Sequence, residues 1–82
     1  SGFKIQFLSA TIQSATKVMT PVHFTKTDYK AAQCKSAGSD GTANVAEITE
    51  KYTDSFIAYN AVGADSSPGR VARQFDFILV GF

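Results

Sequence analysis

The sequence predicts a mainly β protein, a small sandwich or barrel-like sheet with one short helix, and an α+β fold as the alternative. Three observations lead there. Both ends of the chain alternate apolar and polar residues with the period of two that a half-buried strand requires. Gly-, Ser- and Asp-rich stretches cut the middle into short pieces. A helical composition bounded by a cap and a stop is confined to residues 28–37.

Residues 3–13 read as the first strand. Phe3, Ile5 and Phe7 alternate with Lys4 and Gln6, and the phase then shifts to Leu8, Ala10 and Ile12. One extra residue near Phe7-Leu8 produces such a shift, so a β-bulge is expected there. After a weak turn at Ser14-Ala15, residues 16–26 form a second strand with Val18, Val22 and Phe24 on one face. Pro21 has no amide hydrogen to give a ladder, which places this strand at an edge or bulges it. Thr27-Asp28 can cap a helix running from Tyr29 to Ala37, with Gly38 as its stop, although its apolar stripe is thin.

Residues 36–41 have the composition of a loop. Residues 43–62 carry two patterns at once. Val45, Ile48, Tyr52, Phe56 and Tyr59 are spaced as on a helix face behind a capping box at Asn44–Glu47, yet the segment is rich in strand formers. The balance favours two extended pieces divided at Asp54-Ser55; the helical version gives the α+β alternative. Residues 63–69 form the clearest loop, and residues 70–82 the clearest strand. There Phe75, Phe77 and Leu79 take one face and Asp76, Ile78, Val80 and Phe82 the other. A strand apolar on both faces is central or covered by a neighbour.

At 82 residues the chain is expected to be one small domain with a thin core, a size at which disulfides, metals or oligomerisation commonly help. The single Cys34 cannot form an internal disulfide, and with one His no metal site is expected. Charged residues make up only 18% of the chain, so its polar surface must be built largely from Ser, Thr, Gln and Asn. The charges are unevenly spread. Residues 1–35 hold Lys4, Lys17, Lys26, Lys30 and Lys35 against Asp28, whereas residues 36–69 hold Lys51 against Asp40, Glu47, Glu50, Asp54 and Asp65. Opposite halves can pair within one fold or between subunits. No run approaches the ~20 apolar residues of a membrane-spanning helix.

Motifs for catalysis and cofactor binding are missing from the sequence. The glycines form no phosphate-binding pattern, and Ser39-Asp40-Gly41 reads as a turn. Cys34 and His23 are the sole Cys–His combination, with no nucleophile signature around the cysteine; Lys30 and Lys35 flank it and favour a thiolate where it is exposed. Strict alternation turns His23 away from Val22 and Phe24 towards solvent or an interface. Glu47 and Glu50 would share a helix face but point to opposite faces of a strand, in polar surroundings that do not tune a carboxylate for acid–base work. Lys17, His23, Phe24, Lys26, Tyr29 and Lys30 interleave basic and aromatic residues, but the net charge of +1 and the acidic middle argue against nucleic acid as a partner. The phenylalanines Phe3, Phe7, Phe24, Phe56, Phe75, Phe77 and Phe82 are expected to be mostly core.

From His23-Phe24-Thr25-Lys26 onward the order of features resembles the tube proteins of contractile injection systems, the hemolysin-coregulated and phage tail-tube type. Asp28-Tyr29-Lys30-Ala31 resembles the entry to that family's helix, residues 63–69 its loop, and Gln74-Phe75-Asp76-Phe77 its closing strand. The chain has roughly half the usual length of that family and lacks its opening strands. The resemblance implies stacked rings held by β-contacts and no catalytic residues.

Together these features lead to the expectation of a non-enzymatic structural or assembly subunit, without cofactor, acting through self-association. Ile78, Val80 and Phe82 are the candidate interface, with Ser39 and Asp40 in the 36–41 loop as a second contact. The alternative is a small monomeric binding or inhibitor module that uses the polar loops 36–41 and 63–69 to engage another protein.

Overall fold

A computed structural model describes residues 2–36, 45–61 and 71–82. They form six strands: β1 (Lys4–Ile12), β2 (Thr16–Met19), β3 (Lys30–Ser36), β4 (Ala46–Lys51), β5 (Ser55–Asn60) and β6 (Arg73–Gly81). These assemble into two three-stranded antiparallel sheets of order β1-β6-β3 and β2-β5-β4. The sheets are joined through a shared core of Ile12, Val18, Phe24, Tyr29, Phe56, Ala58, Phe75, Phe77 and Leu79. Phe56 of one sheet meets Phe77 of the other edge to face, with ring centroids 5.3 Å apart. Each such buried ring contributes roughly 1.5–3 kcal/mol by leaving water. The fold is therefore mainly β, and no helix occurs among the described residues.

The predicted helix over 28–37 is replaced by strand β3. Ala31 and Gln33 turn inwards and are half-buried, whereas Ala32 and Cys34 are exposed. A helix here would have had too little apolar surface to hold it down. Pairing with β6 satisfies the backbone instead, a partner distant in the sequence that local propensity does not reveal. Asp28 caps nothing and lies exposed in the preceding loop.

The predicted bulge at Phe7-Leu8 is also absent. β1 pairs with β6 from Lys4↔Gly81 to Ile12↔Arg73 without a register shift. One phase of the strand, Gln6, Leu8, Ala10 and Ile12, faces the core throughout, so Phe3, Ile5 and Phe7 point outwards. Gln6 is tolerated inside because its side chain behaves like a piece of backbone. Its Nε2 donates to the Val22 carbonyl at 2.9 Å, and its Oε1 accepts from the Val22 amide at 2.8 Å.

The second strand stops at Met19, short of Pro21, and lies at a sheet edge. Val18 and Phe24 reach the core as expected, but Val22 is exposed. Beyond β2, the Thr20 and Phe24 amides donate to the Asp54 and Thr53 carbonyls in the β4–β5 turn. The chain then crosses to the other sheet, where the Thr25 and Lys26 amides donate to the Phe82 carbonyl. The crossing is fastened by Tyr29, whose ring stacks on Phe24 at 4.1 Å and whose hydroxyl shares its one proton between the carbonyls of Tyr52 and Ser55, each at 2.9 Å. Gly81 is needed beneath it: a Cβ there would lie 2.5 Å from the Tyr29 Cβ and 2.7 Å from its Cα.

Residues 46–60 are the two extended pieces expected, divided at the Tyr52–Asp54 turn. The two faces of β6 divide as predicted, with Phe75, Phe77 and Leu79 in the core.

Candidate interaction face

The outward side of the β1-β6-β3 sheet collects apolar residues that the two-layer core does not use. Because paired residues in an antiparallel ladder share a face, its rows can be read from the register. Ile5 lies beside Val80, and Phe7 beside Ile78, which in turn lies beside Ala32. At the end of the sheet Phe3 and Phe82 pack edge to face, 5.4 Å between centroids. Fractional exposures are 69% for Phe7, 56% for Ile5, 54% for Phe3 and 44% for Phe82, and Ile78 and Val80 are half-buried between them. Contiguous apolar surface of this kind makes the face the candidate site of this molecule.

Towards the other end the face turns polar. The Ser9 hydroxyl donates to Asp76 Oδ1, and Thr11 lies beside Gln74. Between the two ends, Phe7, Leu8, Ser9, Cys34, Asp76 and Phe77 line a shallow depression of about 490 Å³. It combines one bulky aromatic wall with one acidic partner and a thiol.

Of the residues expected at an interface, Ile78, Val80 and Phe82 all belong to this face. Ser39 and Asp40 lie outside the described residues, as do loop 63–69 and most of loop 36–41. Sequence reasoning missed Phe3, Ile5 and Phe7, the most exposed members. Their alternation was visible, but the inferred bulge assigned them to the core. Three of the seven phenylalanines are thus on the surface, and Phe24, Phe56, Phe75 and Phe77 are buried.

The remaining candidates are scattered. His23 is exposed in the loop between β2 and β3, whereas Cys34 is exposed on the outer side of β3. Phe24 and Tyr29, the aromatic members of the basic-aromatic set, are stacked on each other inside the core and present no face to a base. Glu47 and Glu50 were expected on opposite faces of a strand, but a register shift between Ile48 and Glu50 inserts one residue. They therefore pair with Tyr59 and Ile57, which share one face of β5. Both carboxylates are exposed. The Tyr52 hydroxyl donates to Glu50 at 2.8 Å, and that bond, with the carboxylate charge, raises the Tyr52 pKa. Among the described residues no cluster of three His, Cys, Asp or Glu side chains is placed to hold a metal ion. No described helix is long and apolar enough to cross a membrane. No family model, curated protein or solved structure matches this chain.

Proposed function

We propose that the chain is a non-enzymatic structural or assembly subunit that works as a homo-oligomer, with the outer face of the β1-β6-β3 sheet as its main contact. The observation that carries this reading is the run of exposed Phe3, Ile5, Phe7 and Phe82 around Ile78 and Val80. The inner face of the same sheet already supplies the core, so these residues contribute nothing to the fold that exposed polar residues would not. The resemblance to tube proteins points to the same class through residues 23–26 and the closing strand, but not through Asp28–Ala31, which leads into a strand here.

A second copy is the occupant best suited to this face. Its outward residues leave one end apolar and the other polar, with Lys30 beside Val80 at the apolar end and Asp76 beside Lys35 at the polar end. Two copies stacked face to face cover each other's apolar rows with surface of the same kind.

Substitution at the centre of the face tests the proposal. Phe7→Asp is expected to lower the solution mass below that of the native assembly with an unchanged circular dichroism spectrum. Met19→Asp, at an exposed site on β2 of the other sheet, is expected to leave the mass alone. A native chain that is monomeric from the outset, or a Phe7→Asp chain that assembles like the native one, refutes this reading. A monomeric binding module then takes its place.

A further inference from the structure

We infer that two copies of this chain join edge to edge through β1, in antiparallel fashion about a two-fold axis near Leu8, forming a continuous six-stranded sheet. The inference rests on the homo-oligomer reading and specifies how that assembly begins.

Each sheet has two edges, and three of the four carry a device that discourages further pairing. β2 is only four residues long and is followed at once by Thr20-Pro21. β3 is broken by a register shift between Gln33 and Lys35 and carries two lysines. β4 is broken between Ile48 and Glu50 and carries Glu47, Glu50 and Lys51. β1 differs on every count. It runs nine residues without a shift, contains no proline, and has Lys4 as its sole charge. Its main chain pairs with β6 on one side, and among the described residues the one other backbone segment bonded to it, at Val22, reaches it through the Gln6 side chain and not through the ladder groups of the strand.

Charge selects the partner strand and its direction. A parallel β1–β1 pair in register would set Lys4 beside Lys4. Pairing of β1 with the β3 of another copy would set it against a lysine-bearing, bulged edge. Antiparallel self-pairing about Leu8 places Lys4 opposite Ile12 and separates the two Lys4 residues by eight positions of extended chain. At ~3.4 Å per residue that is roughly 27 Å, well beyond the ~8 Å over which salt leaves such a repulsion unscreened. In this register Phe7 lies opposite Ser9, and Ile5 opposite Thr11.

Area gives the pairing a purpose. A three-stranded face of nine-residue strands, at ~3.3 Å per residue and ~4.8 Å per strand, covers roughly 400 Å². That is about half of the ~800 Å² each partner brings to an interface of standard size. Joining two chains through β1 doubles the face to roughly 800 Å², enough for two such pairs to stack. Even-numbered assemblies are therefore expected, with the pair as the unit.

Disulfide trapping in a Cys34→Ser background tests this. Single cysteines replace Ile5, Phe7, Ser9 or Thr11, and the chains are oxidised alone and in pairwise mixtures; a further chain carries Ile78→Cys. Edge pairing predicts trapping only for combinations whose positions add to one constant, as Phe7 with Ser9 and Ile5 with Thr11 do for an axis at Leu8. It also predicts that backbone amide exchange in β1 slows as the concentration of native chain rises, because pairing hydrogen-bonds its outer amides. An oligomer that traps Ile78→Cys to itself but leaves β1 exchange unchanged overturns the edge pairing and leaves the face contact standing. A chain that stays monomeric overturns both.

Discussion

The two sheets share one arrangement at their centres and differ at their flanks. In each, the central strand turns apolar residues outwards: Ile57 and Tyr59 in β5, Ile78 and Val80 in β6. In the β2-β5-β4 sheet these are bordered by charge, with Lys17 beside Ile57 on one side, Glu50 beside Ile57 on the other, and Glu47 beside Tyr59. The long lysine and glutamate stems cover the apolar centre while their heads stay in water. In the β1-β6-β3 sheet the corresponding neighbours are Ile5, Phe7 and Ala32, with Lys30 beside Val80 as the charged exception. A half-buried apolar row in a central strand is thus ordinary, and it is the flanking residues that distinguish the two faces.

The largest expected effect sharpens the contrast between the two sides of the β1-β6-β3 sheet. Phe77→Ala on the inner side is expected to cost about 3–5 kcal/mol, because the ring packs against Phe56 and Phe75 with almost no exposure. Urea unfolding measures this, and a near-neutral result would mean that the two sheets do not share a core. Gly81→Ala is next, towards the upper end of the ~1–3 kcal/mol typical of overpacking, since backbone atoms of Tyr29 cannot swing aside. Gln6→Ala is expected to cost roughly 1–2 kcal/mol, by leaving the Val22 amide without its acceptor and the Val22 carbonyl with the Thr20 hydroxyl alone. An unchanged urea midpoint would show that the clamp contributes nothing.

A smaller effect concerns pH. Burial of the Tyr29 hydroxyl, together with the nearby Asp54 carboxylate, raises its pKa above the ordinary 10.0. The folded chain therefore holds this proton more tightly than the unfolded chain. Its contribution is complete below pH 10 and is lost as pH rises from there through the folded-state value. Tyr29→Phe should flatten that alkaline decline, and a decline of equal slope in the variant would assign it elsewhere. The smallest effect is on the outer side: Phe7→Ser should change the stability of the isolated chain by no more than about 0.5 kcal/mol. A loss as large as that of Phe77→Ala would make Phe7 a core residue and erase the contrast.

How much of this was legible in the sequence depended on whether one phase of a strand was distinctly more apolar than the other. In β6, Phe75, Phe77 and Leu79 stood in a single phase, and the core side followed. In β1 both phases are apolar. Period alone could not choose between them, and the deciding feature is the bond from buried Gln6 to Val22, sixteen residues away. β3 was misread as a helix because Lys-Ala-Ala-Gln-Cys-Lys suits either state locally, and what settles it is the ladder supplied by β6. The bulge in β4 likewise left no local mark, yet it brings Glu47 and Glu50 to one face. For the candidate site, Ile78, Val80 and Phe82 were identified from the two-sided pattern of the last strand. Their larger neighbours Ile5 and Phe7 came to light only through the register with β6.

The central claim is that the outer face of the β1-β6-β3 sheet is covered by further copies of the chain. Light scattering across a concentration series of the native protein tests it most directly. The account predicts a mass that rises with concentration to a defined even multiple of the single chain. A single-chain mass at every concentration would contradict it.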